Sequence, residues 1–293
     1  MTGQLSGRSA IITGANQGLG KAIARAFIEA GANVLLCARD MTLLEQTRDE
    51  LAPLAHADQK VIIQRCDVSN AAEVDQLVVT AIDQFGTFQI LVNNAGVYGP
   101  KGLSESVDWA EWTRAIEINL YGTALPIRAV LPHFRAANYG KIINLSGGGA
   151  TNPLPRFSAY AASKAAVVRF TETIAVEMQE LAAKIDVNAV APGALNTRLL
   201  DEVLEAGPDA VGAQFYQRAQ VQKKTGGTSP EKGANLCVYL ASAASDGISG
   251  RLISAVWDPW ETLADHNDDM KDSDIYMLRR IVPKDRGQNW GDR

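Results

Sequence analysis

Short apolar runs rich in β-branched residues alternate along this chain with longer segments whose apolar residues recur at helical spacing. The runs at 9–13, 33–38, 60–68, 88–96, 140–147, 184–193 and 250–257 read as seven strands. Between them 18–30, 41–54, 71–85, 108–136 and 158–183 read as helices, and Pro126 and Pro132 are expected to divide or kink the fourth. Strands alternating with helices predict right-handed crossovers and an α/β fold with a doubly wound parallel sheet. The strands are apolar throughout, as burial on both faces requires. Ligands of such sheets bind beyond the carboxyl ends of the strands, so the residues just after each strand carry the functional signal. The stretch 195–230, with Gly207, Pro208, Gly226, Gly227 and Pro230, breaks the rhythm. It reads either as a substrate loop or lid, or as a surface helix pair.

The first strand runs into "TGANQGLG" and then a helix. A glycine-rich turn there lets the backbone approach a pyrophosphate seated on the helix N-terminus. Thr13, Gly14, Asn16, Gln17, Gly18, Leu19 and Gly20 are therefore candidate dinucleotide contacts, and the sheet is expected to be of the Rossmann type. At the end of the second strand an acidic side chain would bond the ribose 2′-hydroxyl of NAD. Here "LLCARD" places Ala38 at that position and Arg39 after it. Arg39 either pairs with a 2′-phosphate or is a solvated strand-end residue; the first favours NADP over NAD, while Asp40 and Gln17 pull the other way. Asp67 and Val68, after the third strand, are placed to meet the adenine. The fourth strand ends in "NNAG", and Asn94, Ala95 and Gly96 either brace the sheet and loop or touch the ligand.

In "SAYAASKAAVVRF", Tyr160 and Lys164 lie four apart on one helix face. Alone they are either a solvated pair or an acid/base pair. An ammonium favours the phenolate, and bringing a phenol from its usual ~10 to about 7 takes ~4 kcal/mol. Ser146 ends the fifth strand beside Gly147 to Gly149, and Asn119 lies in the preceding helix.

Together, T-G-x-x-x-G-x-G, D-V, N-N-A-G, a helical Asn, a strand-end Ser, Y-x-x-x-K and P-G-x-x-x-T resemble the compact, roughly 250-residue branch of the short-chain dehydrogenase/reductase family. The elements follow the family's order over about residues 6 to 255. The resemblance implies an NAD(P)-dependent oxidoreductase interconverting a secondary alcohol and a ketone, with no metal. It implies Tyr160 as general acid/base, and Lys164 as the residue that binds the nicotinamide ribose and lowers the phenol pKa. Ser146 would hold the substrate oxygen, and Asn119 would anchor a water that passes protons. Pro192, Gly193, Leu195 and Thr197 of "PGALNT" fall in the segment that holds the carboxamide. It also implies a homo-oligomer, dimer or tetramer. The alternative is a non-catalytic nucleotide-sensing or scaffold protein on the same fold.

The 293 residues suit one dehydrogenase domain over 1–258, substrate loop 195–230 included, followed by a C-terminal extension over 259–293. In that extension 265–274 is expected to be exposed and 275–282 to dock. Trp257, Pro259 and Trp260 replace the small residues with which the family's last strand usually ends. A net charge of -5 argues against a nucleic-acid partner. Three dispersed cysteines fit reduced thiols in a cytoplasmic protein, and with no run of 18 apolar residues no membrane partner is expected. A small alcohol or carbonyl compound is the expected partner.

Overall fold

A computed structural model describes residues 3–290; the outermost positions of the expected domain and of its extension lie outside the described residues. Seven parallel strands form one sheet in the order β3-β2-β1-β4-β5-β6-β7. They are β1 (Ser9–Thr13), β2 (Asn33–Ala38), β3 (Val61–Arg65), β4 (Ile90–Asn93), β5 (Gly140–Leu145), β6 (Ile185–Ala191) and β7 (Leu252–Ser254). The chain reverses direction of travel between β1 and β4, which opens a crevice at their carboxyl ends. Both faces are covered. Ile12, Leu36, Val92 and Ile253 belong to one apolar layer and Ile11, Leu35, Leu91 and Val187 to the other.

The helices are α1 (Gly18–Glu29), α2 (Met41–Leu51), α3 (Ala71–Phe85), α4 (Trp109–Ile116), α5 (Gly122–Ala137), α6 (Ser158–Glu180), α7 (Arg198–Val211), α8 (Ala213–Thr225), α9 (Pro230–Ala241) and the short α10 (Asn267–Met270). Side chains start several of them. Asn70 accepts from the amides of Ala72 and Glu73, and Asp108 from that of Glu111 at 2.8 Å. The expected long helix over 108–136 is divided, but not by its prolines. Pro126 and Pro132 both lie inside α5, and the break is a π-helical turn over Glu117–Tyr121, where the Gly122 amide bonds back to the Glu117 carbonyl. Asn119 sits within that turn, 0% exposed.

Strand ends are earlier than the apolar runs suggested. The fourth run stops pairing at Asn93 and the sixth at Ala191, so Asn94–Gly96 and Pro192–Gly193 are loop at the crevice. Helix α9 falls in a stretch the periodicity left unassigned. It is apolar on nearly every side and packs between α1 and the sheet, so no polar stripe marked it. The irregular stretch 195–230 is mostly α7 and α8, with α7 broken at Gly207.

The C-terminal segment runs back over the β7 edge. The Leu252 amide donates to the Tyr276 carbonyl at 2.8 Å. Arg251, 8% exposed, donates to the carbonyls of Ser273 (2.9 Å), Ile275 (2.7 Å) and Met270. The Leu278 amide reaches the buried Glu172 carboxylate at 2.6 Å. Leu263 and Met270 join the core, and Trp260 packs on Tyr239, while Trp257 is exposed. Of the acidic stretch only Met270 is buried, and Tyr276 and Leu278 of the apolar stretch after it dock.

Candidate active site

The crevice is built first by close backbone approach. A Cβ on Gly14 would lie 2.8 Å from Ala95 Cα, and one on Gly20 would lie 2.2 Å from the Gly14 carbonyl oxygen, so both positions exclude any side chain. The Thr13 hydroxyl, fully buried, accepts from the amides of Asn94 and Ala95 (3.0 and 3.1 Å). The Asn94 side-chain amide donates to the carbonyls of Thr13 and Gly14. Thr13, Asn94 and Ala95 thus pin the ends of β1 and β4 together. Gln17 precedes α1 in extended conformation with no side-chain cap, which leaves the first amides of the helix, at Gly18, Leu19 and Gly20, open to an anion. Gly18 faces Thr197, the residue before α7. The Asn16 carbonyl is held by the Thr47 hydroxyl, and Leu19 is core.

After β2, Arg39 is exposed and makes no ion pair among the described residues. Asp40 is committed elsewhere: its carboxylate accepts from the Leu43 amide at 3.0 Å and starts α2. The Asp67 carboxylate takes Arg114 at 2.5 Å and the Ser69 hydroxyl at 2.6 Å. Burial pushes that carboxyl up, but Ser69 and Arg114 outweigh it and hold it below the ordinary range. Val68 is buried against Gly122.

At the other end, four residues converge from three elements. Ser146 follows β5, is 4% exposed, and its Oγ has no hydrogen-bond partner. Tyr160, in the first turn of α6, packs its phenol oxygen against the next residue, Gly147: a Cβ there would lie 2.2 Å from it. Lys164, one turn further on, donates to the Leu145 carbonyl at 2.7 Å, with Nζ 5.7 Å from the Tyr160 ring centre. Asn119 Oδ1 accepts from the Val97 amide at 2.8 Å, while its Nδ2 donates to the Val97 carbonyl and to Ser163 Oγ. A Cβ on Gly96 would meet Asn119 Oδ1 at 3.3 Å and Lys164 Nζ at 3.5 Å, so the loop after β4 lies across both. Pro192, Gly193, Leu195 and Thr197 run from β6 to α7, with Leu195 bridged to Thr228.

The ionisation of the pair departs from expectation. Burial pushes the Tyr160 phenol well up, and Tyr98 adds to the effect. Burial likewise lowers Lys164 to about 8. In this arrangement desolvation outweighs the lowering that the ammonium was expected to bring. Tyr98, two residues beyond "NNAG", belongs to no motif in the sequence, yet its ring stands edge-on to Tyr160 at 4.7 Å and beside Phe157 at 5.1 Å. A lone aromatic in a loop carries no spacing signal. The tail tryptophans are not part of this aromatic cluster.

A doubly wound sheet with a glycine turn at its crevice and Ser, Tyr, Lys and Asn gathered beyond β5 defines a class, the dinucleotide-dependent oxidoreductases. The sequence pattern of one such family, short chain dehydrogenase, matches residues 8–207, and the chain belongs to that family. It is 34% identical over 254 residues to the (2S)-[(R)-hydroxy(phenyl)methyl]succinyl-CoA dehydrogenase subunit BbsD of Thauera aromatica, covering 85% of this chain and 95% of that one. It is 36% identical over 251 residues to 3beta-hydroxysteroid dehydrogenase 1 of Eggerthella lenta, covering 85% and 92%. The crystal structure of levodione reductase superposes with a TM-score of 0.78 at 28% identity, over 89% of this chain and 99% of that one. The protein is thus an NAD(P)-dependent dehydrogenase/reductase acting on CH–OH and carbonyl groups of small molecules, and the relatives favour an enzyme over a non-catalytic module. No helix among the described residues is long and apolar enough to cross a membrane.

Proposed function

We propose that the enzyme interconverts a secondary alcohol and a ketone with Tyr160 as general acid/base and NADP(H) as the preferred cofactor. The observation that carries the reading is the buried Ser146 hydroxyl, which lacks a partner and sits one residue from the glycine that touches the phenol. A buried hydroxyl left unpaired costs about 1–3 kcal/mol, and a substrate oxygen that accepts from it removes that cost.

The cradle of Gly14, Gly18 and Gly20, the uncapped α1 N-terminus, and the loops at Asp67–Val68, Asn94–Gly96 and Pro192–Thr197 fit a dinucleotide. That group, when bound, supplies or accepts the hydride. In reduction the protonated Tyr160 gives its proton to the carbonyl oxygen while Ser146 holds that oxygen in place; in the oxidative direction Tyr160 first gives up its own proton by way of Lys164 and then takes the one on the alcohol oxygen. A phenol pushed up by burial is protonated at neutral pH, the state reduction requires. Lys164, lowered to about 8, changes charge near neutrality and is suited to resupply the proton and to bind the ribose hydroxyls. Asn119 fixes the Val97 backbone beside it and anchors the relaying water.

Arg39 supports NADP. It is exposed after β2 with no ion pair among the described residues, Ala38 offers no acid, and the Asp40 carboxylate is turned to a helix amide. A homo-oligomer, dimer or tetramer, in the reducing cytoplasm fits the family and the three free buried thiols.

Tyr160→Phe tests the chemistry. NADPH oxidation across a ketone panel should fall by at least 10²-fold with NADPH affinity kept; full turnover would remove Tyr160. Arg39→Ala should weaken NADPH far more than NADH, and an unchanged preference would remove Arg39.

A further inference from the structure

The two helices that interrupt the sheet rhythm close over the phenol. Leu200 and Val203 of α7 and Phe215 and Tyr216 of α8 pack in one apolar cluster with Phe157 and Tyr160. Tyr98 completes the wall from the loop after β4, edge-on to Tyr160. Leu200, Val203, Phe157 and Phe215 carry no side-chain polar atom, and the other three are tyrosines, whose rings interact with a neutral ring through their faces and edges.

The cations beside this cluster are engaged by other groups: Lys164, with Nζ 5.7 Å from the Tyr160 ring centre, donates to the Leu145 carbonyl. Lys101, whose Nζ is 5.9 Å from the Tyr98 ring centre, is paired with Glu202 of α7 at 3.3 Å, and its side chain is 14% exposed. Arg198 meets the same carboxylate at 3.4 Å with its side chain 54% exposed. Arg156 donates to the Asp209 carbonyl at 2.8 Å, near the α7 C-terminus. Lys223 is tied to Asp201. A carboxylate or acyl-CoA thioester brought to Tyr160 would lose hydration on its way past aromatic walls, and the nearest wall cation, Lys101, is already paired with Glu202.

From this we infer that the pocket selects uncharged, ring-bearing secondary alcohols and ketones, that Tyr98 is the wall that recognises the ring, and that Glu202 enforces the choice by neutralising Lys101. The inference rests on Tyr160 being the reacting end of the site, and it assigns a specificity role to Tyr98 and Glu202, not a catalytic one.

The test uses the full chain saturated with NADP+ and three probes: 2-decalone, 4-oxocyclohexanecarboxylate and acetoacetyl-CoA. Calorimetric titration gives binding, and NADPH oxidation gives turnover separately. The neutral ketone should bind at least tenfold tighter than either anion. Tyr98→Ala should weaken 2-decalone at least fivefold, and Glu202→Gln should narrow the gap by at least threefold by improving the carboxylate, both variants being checked for unchanged melting. Either anion binding as tightly as 2-decalone, or none of the probes binding, overturns the inference. An unaltered gap in Glu202→Gln overturns the role of that residue. The predicted binding order without turnover upholds the pocket and counts against the Tyr160 chemistry alone.

Discussion

Gly147→Ala and Gly148→Ala differ by one position and should have opposite outcomes. A Cβ on Gly147 would lie 2.2 Å from the Tyr160 hydroxyl oxygen and 3.2 Å from the ring carbon that bears it, whereas one on Gly148 would have nothing within 4 Å. Non-bonded carbon and oxygen settle near ordinary contact, so the phenol oxygen must withdraw by about 1 Å. Tyr160 has little room to do so, being 8% exposed with Tyr98 and Phe157 in its cluster. Crowding of this kind costs about 1–3 kcal/mol of stability. A displacement of about 1 Å at a reacting group costs on the order of 10²-fold in rate, or ~2.7 kcal/mol of barrier. Steady-state NADPH oxidation with a neutral cyclic ketone, run beside urea denaturation and NADPH titration, separates the two effects. Gly147→Ala should lose about 10²-fold in kcat with NADPH affinity held, and Gly148→Ala should stay within about twofold. Equal activity in the two variants, or equal loss, would refute the placement of the phenol against Gly147.

Three further outcomes follow from buried charge. Lys164 has a folded pKa of about 8 against an ordinary 10.5, so below pH 8 both states are protonated and its burial penalty is complete. Between those values the unfolded chain holds more protons, and stability should rise with pH by about 3 kcal/mol; Lys164→Met should lose that rise, as read from urea unfolding at pH 7 and pH 10. Arg251→Met removes the clamp on the carbonyls of Met270, Ser273 and Ile275 and should cost about 2–4 kcal/mol. Trypsin should then cut faster at Lys271, and unchanged cutting would count against the clamp. Lys141, 1% exposed, pairs with Asp186 at 2.6 Å and Asp246 at 2.7 Å at the start of β5. Lys141→Met should destabilise by about 3–5 kcal/mol in chemical denaturation, because it strands the Asp186 carboxylate, and adding Asp186→Asn should recover part of the loss.

The sheet was legible because burial on both faces of its central strands writes itself as apolar runs, and each of the seven runs became a strand, the half-buried β3 included. The same uniformity hid where pairing stops. Asn94 and Pro192 look like strand continuation until the crevice geometry shows the backbone turning to meet Thr13 in the one case and α7 in the other. The break in the helix over 108–136 is hidden in the sequence for a related reason. A proline is a visible breaker, yet the π turn at Glu117–Tyr121 has no breaker residue, and its cause is tertiary: it brings Asn119 to Val97 and Ser163. Spacing paired Tyr160 with Lys164 but said nothing of Tyr98 or Glu202. These come from the loop after β4 and from α7, which meet only once the chain has folded.

The two ends of the sheet treat buried polar groups in opposite ways, and that contrast bears on function. At the amino ends of the strands Lys141 is surrounded by Asp186, Asp246 and Ser245, while Arg8 and Tyr139 close the network from outside. Each charge there has a partner, which serves stability. At the carboxyl ends Ser146 is left without one, burial lowers Lys164 toward neutrality, and the Tyr160 phenol is held protonated. Those conditions are costly in a folded protein unless a ligand relieves them. Glu202 of α7 pairs with Lys101, whose Nζ lies 5.9 Å from the Tyr98 ring centre, and is shared with Arg198. Hydrogen-bonding capacity is thus left open at Ser146 beside an apolar and aromatic wall, an arrangement suited to a ketone on an apolar ring.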